Sequence, residues 1–201
     1  MLVKVCGMRD ADNIREVDAL RPDFMGFIFH EPSPRCVRAV PSCLPSNARR
    51  TGVFVDRDFD FIMDRVRAFG LSCVQLHGSE SPSLLRELKN RGLMVLKAVS
   101  VGSQDDIRST VRYEDCCDLF VFDTRCPSAG GSGRQFDWTL LKLYCGSVPF
   151  LLSGGIGPDT DISSFSHPKL AGYDLNSRFE TSPGIKDPEL LREFIRKIRH
   201  Q

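Results

Sequence analysis

What most constrains this chain is a regular alternation of short apolar runs with amphipathic ones. Strand-like runs occupy 2–6, 23–29, 51–55, 73–77, 94–99, 118–123, 149–153 and 171–176. Amphipathic, helix-like stretches occupy 10–20, 58–69, 81–91, 103–114, 137–145, 158–165 and 188–200. Strands separated by helices pair in parallel, because a helix must carry the chain back to the starting edge of the sheet. Eight such strands in 201 residues favour closure into a (β/α)8, or TIM, barrel over an open doubly wound sheet. That length supports one domain, 1–201, with little room for an inserted one. Ser81-Pro82 and Asp187-Pro188 each supply a cap followed by proline in the first turn, which starts a helix. Pro41 and Pro45 lie in 38–49, so the second helix is expected to be shortened or irregular.

The apolar runs also end alike, on polar or glycine-rich tips: Cys6-Gly7, Ser33-Pro34-Arg35 after Phe29, Asp56, His77-Gly78, Asp123-Thr124, Ser153-Gly154-Gly155 and Asn176-Ser177. A (β/α)8 barrel builds its active site at the C-terminal ends of its strands. Alternate strand residues face opposite sides. If Val3 and Val5 pack on helices, Lys4 and Cys6 face the barrel interior. The same phase pairs Gln75 with His77, Asp174 with Asn176, and Leu119 and Val121 with Asp123, against Phe120 and Phe122. Polar groups are thus aimed toward one end of the interior.

Net charge is +1 with the signs interspersed, which gives no reason to expect a nucleic-acid or membrane-surface partner. The N-terminus opens on a strand without a signal-like pattern, and no apolar run approaches a membrane span, so a cytoplasmic location is expected. The eight cysteines form no C-x-x-C pair, no helix carries His-x-x-x-His, and the inward polar groups are of mixed type. Neither a metal site nor a disulfide framework is expected.

Cys6 and Asp123 form the sharpest pair. A thiolate is a competent base or nucleophile, and Lys4 on the same face supplies a charge that favours it. Asp123 can hold a proton if its surroundings are apolar, with Phe120, Phe122 and the loop after it as candidate desolvators. The alternatives are buried packing for Cys6 and loop capping for Asp123. Gly154 and Gly155 after strand seven, with Asn176 and Ser177 after strand eight, occupy the usual phosphate position of such barrels. Arg35, on a proline-stiffened loop, suits a carboxylate clamp or a solvated surface position. His77 is placed at the mouth, while His30, His167 and His200 read as loop or tail residues. The long loop 124–135 is glycine-rich and reads as a mobile lid.

Taken together, Lys4-Val5-Cys6-Gly7-Met8, Gly26-Phe27-Ile28-Phe29 with Ser33-Pro34-Arg35, Gly52-Val53-Phe54-Val55, Gln75-Leu76-His77-Gly78, Asp123-Thr124, Gly130-Gly131-Ser132-Gly133 with Phe136-Asp137-Trp138, Ser153-Gly154-Gly155 and Pro183-Gly184-Ile185-Lys186-Asp187 resemble phosphoribosylanthranilate isomerase of tryptophan biosynthesis. The resemblance runs from the first strand to the last helix. It implies an Amadori rearrangement of N-(5′-phosphoribosyl)anthranilate to 1-(2-carboxyphenylamino)-1-deoxyribulose 5-phosphate, with no redox cofactor or metal and a small-molecule substrate in place of an obligate protein partner. It implies that Cys6 is the general base and Asp123 the general acid, that Arg35 binds the anthranilate carboxylate, and that Gly154, Gly155, Asn176 and Ser177 bind phosphate; His77 joins the substrate-binding set. Arg178, His30-Glu31 and Arg134 depart from the family pattern without removing a catalytic group. Two alternatives are a related phosphosugar aldose–ketose isomerase, which would place an aspartate where Cys6 stands, and a non-catalytic phosphosugar-binding barrel, which would need neither Cys6 nor Asp123.

Overall fold

The structure, a computed structural model, describes residues 1–124 and 137–200. Its strands are β1 (Leu2–Cys6), β2 (Phe24–Ile28), β3 (Arg49–Phe54), β4 (Cys73–Leu76), β5 (Met94–Val101), β6 (Leu119–Thr124), β7 (Phe150–Leu152) and β8 (Leu170–Leu175). They pair in parallel in sequence order and close between β1 and β8, so the expected eight-stranded barrel is present. Closure needs a close approach: a side chain on Gly172 would strike the backbone carbonyl of Leu2, which its strand faces. Helices α1 (Ala11–Asp18), α2 (Phe59–Phe69), α3 (Pro82–Asn90), α4 (Gln104–Arg108) and α5 (Pro188–Arg199) pack outside, and a short hairpin of β9 (Glu180–Ser182) and β10 (Ile185–Lys186) precedes α5. Ser81 and Asp187 cap α3 and α5 as the sequence indicates. No helix among the described residues is long and apolar enough to cross a membrane.

Strand alternation divides the buried side chains into two layers. Phe24, Cys73, Leu96, Ala98, Leu119, Val121 and Leu151 fill the barrel interior. Val3, Val5, Val95, Phe120, Phe122 and Phe150 belong to the larger core between strands and helices. The interior packing lies below the strand tips, so the barrel is a filled plug with its polar groups at one end.

Three helix expectations fail for separate physical reasons. Between β2 and β3 there is no helix at all. The chain there is held by Asp18 at the end of α1, whose carboxylate accepts from the amides of Ser46, Asn47 and Ala48 at 2.9–3.2 Å. After β6, 138–143 is a 3-10 helix only. Tyr144 leaves the helical path to bury its ring against Phe120, Phe122 and Phe150, with centroids 5.4–5.9 Å apart, and to donate to Val148 O. After β7 only 162–164 is helical, again 3-10. The turn is held locally by Asp161, whose side chain accepts from the Ser163 amide at 3.0 Å and its hydroxyl at 2.6 Å, and Phe165 beyond it leaves the helical path for the core. The stretch 103–114 splits: α4 tightens to a 3-10 turn where the Ser109 and Thr110 hydroxyls bond back to Asp106 O and Ile107 O, both at 2.7 Å. Apart from Thr124, the glycine-rich loop read as a lid lies outside the described residues.

Candidate active site

A cavity open to solvent occupies the C-terminal end of the barrel. Cys6, His77, Asp123, Gly154, Gly155, Asn176 and Ser177 all line it. Of the substrate-binding set named from sequence, only Arg35 stands off the cavity wall. Its guanidinium is buried and turned to Glu180, with contacts of 2.9, 3.1 and 2.7 Å. Gln75, Ser153, Asp174 and His30 line the cavity as well, although the sequence reading gave them no role. His30 is a loop residue, as read, and that loop forms part of the wall. Gln75 and Asp174 were findable from strand phase, since each sits two residues before an assigned tip.

Cys6 ends β1 with its thiol inside the barrel, 4 % exposed. Gly26 on the neighbouring strand makes room: a Cβ there would lie 2.8 Å from Cys6 Sγ and 3.1 Å from Cys6 Cα. Two residues earlier on the same strand face, Lys4 Nζ pairs with Asp174 Oδ2 at 2.8 Å, both side chains buried. Burial alone would depress the Lys4 ammonium, but Asp174 and Cys6 hold it above its ordinary value. Lys4 does favour the Cys6 thiolate, as expected, by its charge and by a hydrogen bond, but burial outweighs it. Burial pushes the Cys6 thiol up, and Lys4, committed to Asp174, offsets that only in part.

Asp123 ends β6. Burial pushes its carboxyl up, against the stabilising hydrogen bonds of the Thr124 amide at 2.8 Å and of Ser153, and against the charge of Lys4. Two of the three desolvators expected from sequence are not at the site: Phe120 and Phe122 point outward into the helix layer, stacked at 5.8 Å, while the third, the loop after Asp123, lies outside the described residues. Their role is to fix β6 from outside. His77 Nε2 stands 3.7 Å from Asp123 Oδ2, too far for a hydrogen bond. Burial, with Lys97 and Lys4 nearby, lowers the His77 imidazole to about 4, so at neutral pH it is an uncharged ring beside Asp123.

Gly154 and Gly155 adopt left-handed backbone, with φ of 82° and 71°. A Cβ on Gly154 would collide with Thr124 and lie 2.8 Å from Asp123 Oδ1, so glycine is required where the two loops touch. Among the described residues, the amides of Gly154, Gly155 and Ser177 donate no hydrogen bond. Unpaired N–H groups at the mouth, one at the start of a 3-10 turn, form a concavity that favours an anion. Among the described residues no cluster of His, Cys, Asp and Glu could hold a metal ion.

Residues 3–197 match the family model described as N-(5'phosphoribosyl)anthranilate (PRA) isomerase. The chain belongs to this isomerase family. Curated N-(5'-phosphoribosyl)anthranilate isomerases from Parabacteroides distasonis and Phocaeicola vulgatus are each 44 % identical to it, over all of this chain and 94 % and 99 % of theirs. Among solved structures, the phosphoribosyl anthranilate isomerase of Thermotoga maritima is similar at 29 % identity and a TM-score of 0.85, each chain being fully covered. Another structure of such an isomerase, in complex with reduced 1-(o-carboxyphenylamino)-1-deoxyribulose 5-phosphate, matches at 27 % identity with a TM-score of 0.84, again over both full chains. Membership of the phosphoribosylanthranilate isomerase family sets aside both alternatives carried from the sequence.

Proposed function

We propose that this chain performs the family's Amadori rearrangement in tryptophan biosynthesis, with Asp123 as general acid and Cys6 as general base. The observation that carries this reading is that both groups line one cavity, under a rim of amides that donate no hydrogen bond to a described residue. Asp123, held toward its protonated form, gives its proton to the ribose ring oxygen as the C1′–O bond breaks. The nitrogen lone pair closes a C1′=N bond, leaving a cationic Schiff base and an Asp123 carboxylate. Cys6, its thiol proton first lost to solvent, takes the C2′ proton as the thiolate, and the C–H electrons flow to the cation to give a neutral enolamine, which tautomerises to the ketone. The new positive charge beside Cys6 adds to that of Lys4, a second opposite charge that favours thiolate at the moment it is needed. No external electron donor enters the balance.

Gly154, Gly155, Asn176 and Ser177 receive the phosphate in this reading, and Arg35 the carboxylate. His77 and Gln75 contact the sugar between them. The substrate is a small soluble metabolite, and the enzyme works in the cytoplasm. The test is turnover by the purified chain, followed by loss of the substrate's fluorescence. Asp123→Asn, which keeps the shape and removes the proton, is expected to retain less than about 1 % of kcat, the order of loss seen when a positioned acid is removed. Near-normal kcat in that variant removes Asp123 from the mechanism.

A further inference from the structure

We propose that the buried Glu180–Lys186 pair of the β9–β10 hairpin is a positioning unit that orients both ends of the substrate site, Arg35 at the carboxylate end and Asn176 at the phosphate end. The inference rests on the roles just proposed for those two residues. Glu180 opens β9 and Lys186 closes β10, directly opposite each other in the hairpin register. The Glu180 carboxylate grips the Nε–Nη2 edge of Arg35 at 2.7–3.1 Å. Nη1 is then the corner of the guanidinium with no hydrogen bond to a described residue, and a bidentate fork has its remaining edge to offer.

From the other side, Glu180 Oε1 accepts from Lys186 Nζ at 2.6 Å and from the Gly184 amide at 3.1 Å. Gly184 has φ of 87°, a left-handed turn that aims its N–H back at the carboxylate. Lys186 Nζ also donates to Asn176 Oδ1 at 2.7 Å. With its oxygen engaged, Asn176 has its NH2 group left to offer, the half of the amide that suits an anion. Lys186 is itself pinned, because the Asn13 side chain accepts from its amide at 2.7 Å and donates to its carbonyl at 2.8 Å.

These side chains are nearly dry: Arg35 is 10 % exposed, Glu180 4 % and Lys186 0 %. Two cations share one carboxylate, so the cluster keeps one unbalanced positive charge. A desolvated cation without a full counter-charge is costly, which favours arrival of an anionic group. The arrangement also accounts for Pro183-Gly184-Ile185-Lys186-Asp187, a motif that the catalytic roles leave unexplained. Gly184 turns the hairpin and donates to Glu180, Lys186 bridges to Asn176, and Asp187 caps α5 through the amides of Glu189 and Leu190.

The experiment uses the full chain and begins with wild-type turnover of phosphoribosylanthranilate. An inactive wild type overturns the proposed function. With an active one, Glu180→Gln and Lys186→Met are compared with Lys186→Arg, using anthranilate and ribose 5-phosphate as separate competitive inhibitors of the two ends. Both Glu180→Gln and Lys186→Met are expected to raise KM about tenfold to a hundredfold, the range for a hydrogen bond to a charged group, with kcat changed by less than about threefold. Glu180→Gln should weaken anthranilate and spare ribose 5-phosphate. Lys186→Met should weaken ribose 5-phosphate, and Lys186→Arg should restore most of it. Unchanged KM in the two neutral variants overturns the proposal while leaving the catalytic roles standing. So does a parallel loss of kcat, KM and melting temperature without the split between inhibitors, which assigns the pair to stability alone. If Glu180→Gln does not fold, unchanged ribose 5-phosphate inhibition in a folded Lys186→Met decides against it.

Discussion

At the scale of single residues, burial shifts both reacting groups toward their neutral forms. That suits Asp123, which must give a proton, and opposes Cys6, which must take one. Burial raises both groups, and the nearest cation, Lys4, is shared between Cys6 and Asp174. Alkylation tests this directly. At neutral pH the exposed Cys145 is expected to react with iodoacetamide before Cys6 does, and Cys6 labelling should speed up only as pH rises past the ordinary thiol value of about 8.5. Mass spectrometry of the labelled peptides reads both. Cys6 labelled first at neutral pH would mean that the thiol is activated before substrate arrives. Positions were legible here from strand phase alone: Cys6, His77, Asp123 and Asn176 all fall on inward-facing tips. Electrostatics were not. The sequence places Lys4 beside Cys6, but its partner Asp174 comes from a strand 170 residues away. The partner of Arg35 was illegible for the same reason, since Glu180, which holds its guanidinium, comes from the far end of the chain.

At the scale of elements, glycines and one carboxylate set the local geometry. Gly26 on β2 leaves the space that Cys6 Sγ occupies. Gly26→Ala is therefore expected to lower kcat at least about tenfold by displacing the thiol, at a stability cost of about 1–3 kcal/mol from overpacking, read by kinetics and thermal melting together. Normal kcat would show that Sγ has room to move. The segment between β2 and β3 is built on Asp18 in place of a helix. Burial alone would raise that carboxyl, but the amides of Ser46, Ala48 and Asn47 hold it below its ordinary value. A depressed carboxylate contributes stability that is complete above the unfolded value of about 4 and is lost as pH falls through the folded one. Asp18→Asn should cost about 1–3 kcal/mol at neutral pH, and the difference from wild type should shrink on acidification below about pH 4. Denaturant melts at both pH values measure it, and a constant difference would contradict the assignment. The prolines at 41 and 45 signalled the missing helix, but nothing in the local sequence signals that Asp18 replaces it. The 3-10 turns were misread because tertiary demands such as burial of Tyr144 override a helical pattern.

At the scale of the whole molecule, one barrel gathers groups from β1, β4, β6, β7 and β8 at a single end, so the site exists only when the barrel is closed. Closure depends on β8 lying flat against β1 at Gly172. Gly172→Ala is expected to lower the melting temperature and activity together, whereas activity lost without stability would place the effect at the site instead. Fold class and strand order were readable because eight period-2 runs leave few topologies for parallel strands. The irregular returns after β2, β6 and β7 were not, since they are set by contacts across the molecule. The central claim is that Cys6 and Asp123 divide the proton transfers of one isomerisation. Its most direct test is single-turnover conversion of phosphoribosylanthranilate by wild type, Asp123→Asn and Cys6→Ser in parallel, with exchange of the C2′ hydrogen followed by isotope labelling. The expected result is a fast wild type, an Asp123→Asn variant that binds substrate but does not open the ring, and a Cys6→Ser variant that opens it without exchanging the C2′ hydrogen. A Cys6→Ser enzyme that exchanges and turns over at the wild-type rate would contradict the account.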